Sequence, residues 1–261
     1  MKETILKALK KIESDYNVKI LYACEAGSRA WGVSSKDSDY DVRFIYVHKK
    51  DDYLTIDPIG IGKKRDVIEL PIDDLLDITG WELTKALRLL RKSNPPLLEW
   101  LHSGIVYYQE FSTIAQMKKL TREIFAPQAC LHHYLNMANK NFQGILQDGE
   151  VSSKRYLNVL RPILVANWIE KLNEFPPLDY QLLLEKCIAE GEVKGEIKAL
   201  LKRKRVGEKQ AEKLQIDIIN EFFIEEISRL RERTKTLNVH LQDFSPQLDS
   251  LFRNTLDEVW A

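Results

Sequence analysis

Net charge is the first thing this sequence lacks: Lys and Arg together number 39, and so do Asp and Glu. A global field that would draw the chain to nucleic acid or to a membrane surface is therefore excluded, and any such partner must find a local patch. Cysteine is scarce as well. Cys24, Cys130 and Cys187 are odd in number and far apart. That argues against a disulfide framework and a clustered zinc site, and it suits a reducing cytoplasm. No window approaches the roughly 18 apolar residues of a membrane span. The stretch MKETILKALKKIESDYNV is Lys-rich and amphipathic, without a long apolar run or a small-residue cleavage site, and reads as a first helix rather than a signal peptide. Repeats and low-complexity segments are missing too. What is left is ordinary globular composition, 44% hydrophobic and 30% charged over 261 residues, long enough for one large domain or two modest ones.

The pattern changes character near residue 108. Before it, short apolar runs alternate with helical segments. VKILYACEAG (18–27) is an apolar run ending in glycine. DYDVRFIYVH (39–48) alternates, with Asp39, Asp41 and Arg43 on one face and Tyr40, Val42 and Phe44 on the other. RDVIELPI and LLDITGW read as two further strands. WELTKALRLLRKS reads as a helix that stops at NPP, and PLLEWLHS as one more short helix. Beyond 108 the chain reads helical. Leu157, Leu160, Leu164, Trp168 and Leu172 recur at spacings of three and four, an amphipathic stripe that Ile216, Ile219, Phe223, Ile227 and Leu230 repeat. The expectation is an α+β fold: a small mixed β-sheet domain with flanking helices over 1–108, then an all-helical domain over 109–261.

One stretch carries chemistry: EAGSRAWGVSSKDSDYDVRFIYV (25–47). Asp39 and Asp41 point to one side of a strand, roughly 7 Å apart at the backbone, and run into an apolar segment. Two acids so placed are costly unless something positive neutralises them. Their oxygen donors suit Mg²⁺ or Mn²⁺ over zinc, and their spacing suits a two-metal site. Gly27 lets the backbone approach a phosphate, Ser28 adds a hydroxyl donor, and Arg29 adds charge. Two rival motifs fail. GSRAWGVS misses the P-loop lysine, since Val33 stands there. DSDYDV opens like an EF-hand loop, but Val42 and His48 stand where Gly and Glu are needed. A surface turn with solvated acids is the bland reading, and a lone Asp-x-Asp would not displace it. The glycine-serine turn before the acids and the apolar strand after them do.

A Gly-Ser followed by Ser-Asp-x-Asp at a strand start resembles the signature of the DNA polymerase β-like nucleotidyltransferase superfamily. GSRAWGVSSKDSDYDVRFIY, LLDITGWELTKALRLLRKSNPPLLEWLHS and SSKRYLNVLRPILVANWIEK resemble, more narrowly, the YcgL-type predicted nucleotidyltransferases related to the polymerase associated with bacterial RNA repair. The resemblance implies a third carboxylate on a neighbouring strand. Asp77 fits best, just before the helical pattern; Glu69 is the alternative and Asp66 a third choice. It also gives Lys154, in the Lys-Arg-Tyr helix, a slight preference as a nucleotide contact over a solvated charge.

The implied activity is a metal-dependent transfer of a nucleoside monophosphate from an NTP to an acceptor hydroxyl, with release of pyrophosphate. Asp39, Asp41 and Asp77 hold the metals; Gly27, Ser28, Arg29 and Lys154 hold the nucleotide. The acceptor is an RNA or DNA 3′ end by kinship. A small molecule or protein side chain would use the same chemistry. The alternative is a nucleotide-binding regulatory or toxin–antitoxin-type module. No membrane partner and a cytoplasmic location are expected. Arg161 shares a face with Lys154. Lys85, Arg88 and Arg91 either offset the acids or are solvated, Asn94 is either a helix stop or a substrate contact, and the run KALLKRKRVGEKQAEK reads as a solvated basic face without interleaved aromatics. His132-His133 reads as helix packing. The five tryptophans read first as core, and Trp31, in the loop of the candidate site, is the one that could also stack on a base.

Overall fold

The computed structural model describes residues 1–61, 65–70, 75–148, 152–207, 216–234 and 242–261. The chain folds as two compact units. The first comprises Met1–Ala30, Asp39–Ile124 and Leu241–Ala261; the second comprises Trp31–Ser38 and Phe125–His240.

The first unit holds, among the described residues, a five-stranded sheet. Its strands are β1 (Lys19–Glu25), β2 (Tyr40–Val47), β3 (Val67–Glu69), β4 (Leu76–Glu82) and β5 (Val106–Gln109), in the order β3-β4-β2-β1-β5. β1 runs antiparallel to β2 and β5, and β3 antiparallel to β4, whereas β2 and β4 are parallel. The sheet is therefore mixed, and the fold is α+β. The helices of this unit are α1 (Lys2–Tyr16), α2 (Gly27–Ala30), α3 (Lys50–Tyr53), α4 (Leu83–Arg91), α5 (Pro95–His102) and α6 (Thr113–Ile124), and it closes with a C-terminal helix, Ser245–Val259.

Amphipathicity places α1. Ile5, Leu9 and Ile12 lie on one stripe and pack with Val42, Phe44, Tyr46, Ile68 and Ile78 from one face of the sheet. Asn17 ends that helix in the left-handed conformation, its N–H returning to the Glu13 carbonyl. The C-terminal helix also belongs to this unit. Phe252 meets Tyr53 edge-on at 4.9 Å, Lys50 pairs with Asp257 at 2.6 Å, and Trp260 Nε1 donates to the His48 carbonyl at 2.8 Å.

Several expectations change. The helix read from WELTKAL starts at Leu83, because Trp81 and Glu82 finish β4. Glu82 is fully buried and caps α4, accepting from the N–H groups of Thr84 (2.7 Å) and Lys85 (3.3 Å) and from the Tyr53 hydroxyl (2.6 Å). Burial raises its pKa. Strand β3 is short, and Pro71 and Ile72 of the run RDVIELPI lie outside the described residues. β5 was not foreseen at all. Asn94 caps α5, its Oδ1 accepting from the Leu97 N–H at 3.2 Å, so the helix-boundary reading accounts for it.

The second unit is helical among its described residues. It contains α7 (Pro127–Asp148), α8 (Ser153–Leu172), α9 (Tyr180–Cys187), α10 (Glu192–Val206) and α11 (Ile216–Thr234), which makes the C-terminal helix α12. The α8 stripe is not one-sided: Tyr156, Leu157, Val159, Leu160, Pro162, Ile163 and Val165 are all buried. No residue from Val159 to Glu170 is exposed, so this stretch sits inside its domain. Helix α11 does keep a stripe, with Ile219, Phe223, Ile227 and Leu230 buried. Trp31 is only 1% exposed and belongs to this unit, beneath the Arg161 guanidinium at 5.1 Å from its ring centre. It is core, not a base platform. Residues 208–213 of the basic run lie outside the described residues. No described helix is long and apolar enough to cross a membrane.

Gly80 is forced by the β2–β4 pairing, which sets it opposite Phe44. A Cβ there would lie 2.1 Å from the buried Phe44 ring. Gly80→Ala should cost about 1–3 kcal/mol of stability through overpacking, read as a lower urea midpoint at unchanged slope.

Candidate active site

The site grows out of strand register. Parallel pairing of β2 with β4 sets Asp41 directly beside Asp77. Side-chain alternation puts Arg43 on the same face as Asp41 and Thr79 on the same face as Asp77. Arg43 fills the space between the acids. Its Nη2 donates to Asp77 Oδ2 at 2.8 Å and to Asp41 Oδ1 at 3.2 Å, while Nη1 reaches the carbonyls of Val42 (3.1 Å) and Asp77 (3.3 Å). Arg43 is 18% exposed and the two acids 28% and 29%, so the triad is half-sheltered from screening solvent. The rigid planar fork of arginine suits such a double contact better than lysine would.

The chain entering from β1 closes on the same point. Gly27 has φ 55°, a conformation costly for any residue with a side chain. It also lies against Asp41: a Cβ at Gly27 would sit 1.9 Å from Asp41 Oδ2. The Ala26 N–H donates to the Asp41 carbonyl at 2.7 Å, and the Asp41 N–H donates to Glu25 Oε1 at 2.8 Å. Arg29 Nε donates to the Asp39 carbonyl at 3.0 Å, with its guanidinium 3.7 Å over the Tyr40 ring. Asp39 itself is exposed, just before β2 begins. Ser28 follows Gly27 in α2, half-buried.

Glu25 had no role in the sequence reading. It is fully buried at the end of β1, also accepts from the Tyr107 hydroxyl, and its carbonyl accepts from Ser103 Oγ at 2.6 Å. Burial raises its pKa above the usual 4.5, against the lowering pull of those hydrogen bonds. A lone acid closing an apolar run was its only signal in the sequence. Arg43 had a clearer one, two positions after Asp41 on the acid face.

Glu69 stands on β3 opposite Thr79, one strand further out. Asp66 is engaged by Lys85 at 3.1 Å and Arg88 at 3.8 Å. Lys154 is exposed in the first turn of α8, in the second unit. Among the described residues no three His, Cys, Asp or Glu side chains are gathered closely enough to hold a metal. The chemistry of the site nonetheless fits a hard divalent cation. Its donors are carboxylate oxygens throughout, and the missing Cβ of Gly27 makes the room that the Asp41 carboxylate occupies. Arg43 is the positive charge that holds Asp41 and Asp77 together without one.

The chain has three likenesses to known proteins and families. The sequence profile of RlaP, the RNA repair pathway DNA polymerase beta family, matches residues 1–254. The chain is 52% identical to a Bacillus subtilis (strain 168) protein named "Uncharacterized protein YcgL" over 260 residues, covering 100% of this chain and 98% of that one. A solved nucleotidyltransferase-like protein from Exiguobacterium sibiricum 255-15 aligns over 88% of this chain and 74% of its own, at 14% identity and a TM-score of 0.31. The chain belongs to the RNA repair pathway DNA polymerase beta family, a family of nucleotidyltransferase type.

Two outcomes follow from the geometry. Arg43→Ala leaves adjacent carboxylates uncompensated and should cost about 1–3 kcal/mol in metal-free buffer, with added Mg²⁺ raising the melting temperature of the variant more than that of wild type. Glu25 binds its proton more tightly folded than unfolded, so its stability contribution is complete below about pH 4.5 and is lost as pH rises through the higher folded value. Urea midpoints of Glu25→Gln should therefore gain on wild type as pH rises from 4 to 7.

Proposed function

We propose that this family member is an Mg²⁺- or Mn²⁺-dependent nucleotidyltransferase that moves a nucleoside monophosphate from an NTP to the 3′ hydroxyl of an RNA or DNA end. The observation that carries this reading is Asp41 beside Asp77 on parallel strands, closed on one side by Gly27. A bound divalent ion would lower the pKa of the acceptor hydroxyl and neutralise the triphosphate.

The chain's own residues do the positioning. Asp39 and Asp41 supply the carboxylates that hold the cation. Asp77 receives the proton of the attacking hydroxyl at a carboxylate oxygen, with Thr79 Oγ1 at 3.4 Å helping to orient it. Gly27 and Ser28 bring the turn's backbone and a hydroxyl close to the triphosphate, and Arg29 adds a charge-assisted contact on the same turn. Arg43 keeps Asp41 and Asp77 at hydrogen-bonding range of one guanidinium, which fixes their separation. Fixed charges and near-attack positioning account for the rate, as in phosphoryl transfer generally. We place the protein in the cytoplasm.

Pyrophosphate release should be measured with each of the four NTPs, Mg²⁺ and total RNA. Release should require the RNA, and Asp39→Ala/Asp41→Ala should lower it by about 10³-fold or more. Release without any nucleic acid would move the acceptor to a small molecule or a protein. NTP binding without release under every acceptor would favour a nucleotide-sensing module.

A further inference from the structure

Two arginines of the second unit close on one dipeptide. Trp31 and Gly32 belong to that unit, and as chain neighbours their Cα atoms stand about 3.8 Å apart. Arg161 of α8 holds its guanidinium 5.1 Å from the centre of the Trp31 ring. Arg205, in the last turn of α10, places Nη2 3.5 Å from the Gly32 carbonyl. The Tyr180 N–H, at the start of α9, donates to the Trp31 carbonyl at 3.3 Å. Three helices therefore fix the dipeptide. The space beside Gly32 is open, since a Cβ there would meet nothing within 4 Å.

Among the described residues, no carboxylate pairs with either arginine. Other arginines of this chain find acids: Arg43 takes Asp41 and Asp77, and Arg229 takes Glu170 at 2.7 Å and Glu226 at 3.1 Å. Arg161 is half-buried on the stretch of α8 that has no exposed residue. Its Nη2 has the Met137 sulfur at 3.8 Å, and its buried Nε has no hydrogen-bond partner. A sheltered charge met by a ring and a thioether is costly. The Trp31 indole N–H is also buried without an acceptor, whereas that of Trp260 finds the His48 carbonyl. The carboxylates of α9 and its cap are engaged. Asp179 accepts from the Leu182 N–H at 2.9 Å, and Glu185 meets Lys194 at 2.7 Å and Lys198 at 3.0 Å. Lys36 and Asp37, exposed further along the loop, cancel in charge. Lys202, one turn before Arg205, adds another exposed cation. Donors and positive charge are thus in excess around Trp31 and Gly32.

We infer that Arg161, Arg205 and Trp31 form an oxyanion site on the helical unit, for a ligand of diphosphate chemistry. Two guanidiniums from two helices suit two linked phosphoryl groups, each held by charge-assisted hydrogen bonds. A carboxylate would bring one charge to two arginines and fits less well. The Trp31 N–H, below the Arg161 guanidinium, adds a neutral donor, and the open side of Gly32 gives the approach. Asp39, Asp41 and Asp77 belong to the first unit and take no part. Free pyrophosphate and the tail of a nucleoside triphosphate share this chemistry.

The test uses the full chain carrying 5-fluorotryptophan, with the Trp31 resonance assigned through Trp31→Phe. Pyrophosphate and ATP are titrated in turn, without divalent metal and at constant ionic strength. Pyrophosphate should move the Trp31 resonance saturably, with a dissociation constant of about 1 mM or below. Arg161→Gln and Arg205→Gln, the second at an exposed position, should each weaken that binding about 10-fold. Arg29→Gln and Asp39→Asn/Asp41→Asn should leave it unchanged. Tighter binding of ATP than of pyrophosphate assigns the site to a nucleotide tail, and equal or weaker binding assigns it to the free anion. The inference is overturned by an absence of saturable shift with both, by a shift that either arginine substitution leaves intact, or by one that Arg29→Gln or the Asp39/Asp41 variant abolishes.

Discussion

The guanidinium of Arg43 is the contact on which the rest of the site depends. Parallel pairing of β2 and β4 brings two carboxylates side by side at a half-sheltered position. Like charges at that range repel, and a cation between them offsets that cost. Arg43 comes from the same strand face, so the register that creates the repulsion also delivers its remedy. The β1 end is built to the same constraint. Gly27 has no side chain because Asp41 occupies that space, and the Glu25 carboxylate and the Ala26 N–H tie the Asp41 backbone from both sides.

How much of this was legible depended on distance along the chain. The glycine-serine turn, Asp39 and Asp41 fall within one short window, and their spacing alone suggested phosphate and metal chemistry. Asp77 needed a family resemblance, because only the β2–β4 register shows that it neighbours Asp41, and the sequence does not encode register by any local sign. Arg43 was visible on the acid face, but its role required the second acid to be in place. Glu25 looked like the last residue of an apolar strand. Its contacts with Asp41 and Tyr107 come from β2 and β5, and β5 itself went unread because VYYQ is short and half-exposed.

The helical region taught a similar lesson about periodicity. Spacings of three and four correctly marked α8 and α11 as helices. They described α8 as one-sided only because a few of its apolar positions were counted. With Val159, Ile163 and Val165 included, no residue between Val159 and Glu170 is exposed, and that stretch lies inside its unit. Trp31 follows the core reading of the tryptophans and not the stacking alternative. Proximity to Gly27 and Ser28 in sequence suggested a place in the site, yet its ring is buried under Arg161 and its carbonyl accepts from the Tyr180 N–H at 3.3 Å.

The first unit is assembled from three separate lengths of chain, and the last of them contributes α12. Vectorial synthesis therefore has a consequence here. Domains that are contiguous in sequence can settle as soon as they leave the ribosome. Here three contacts of the unit are made only after α12 is translated, because Tyr53, His48 and Lys50 meet Phe252, Trp260 and Asp257. The strands bearing Asp41 and Asp77 emerge early, while the helix that completes their unit is translated after every residue of the second. A chain released short of α12 would carry every acid of the candidate site on a unit that lacks one of its packed helices.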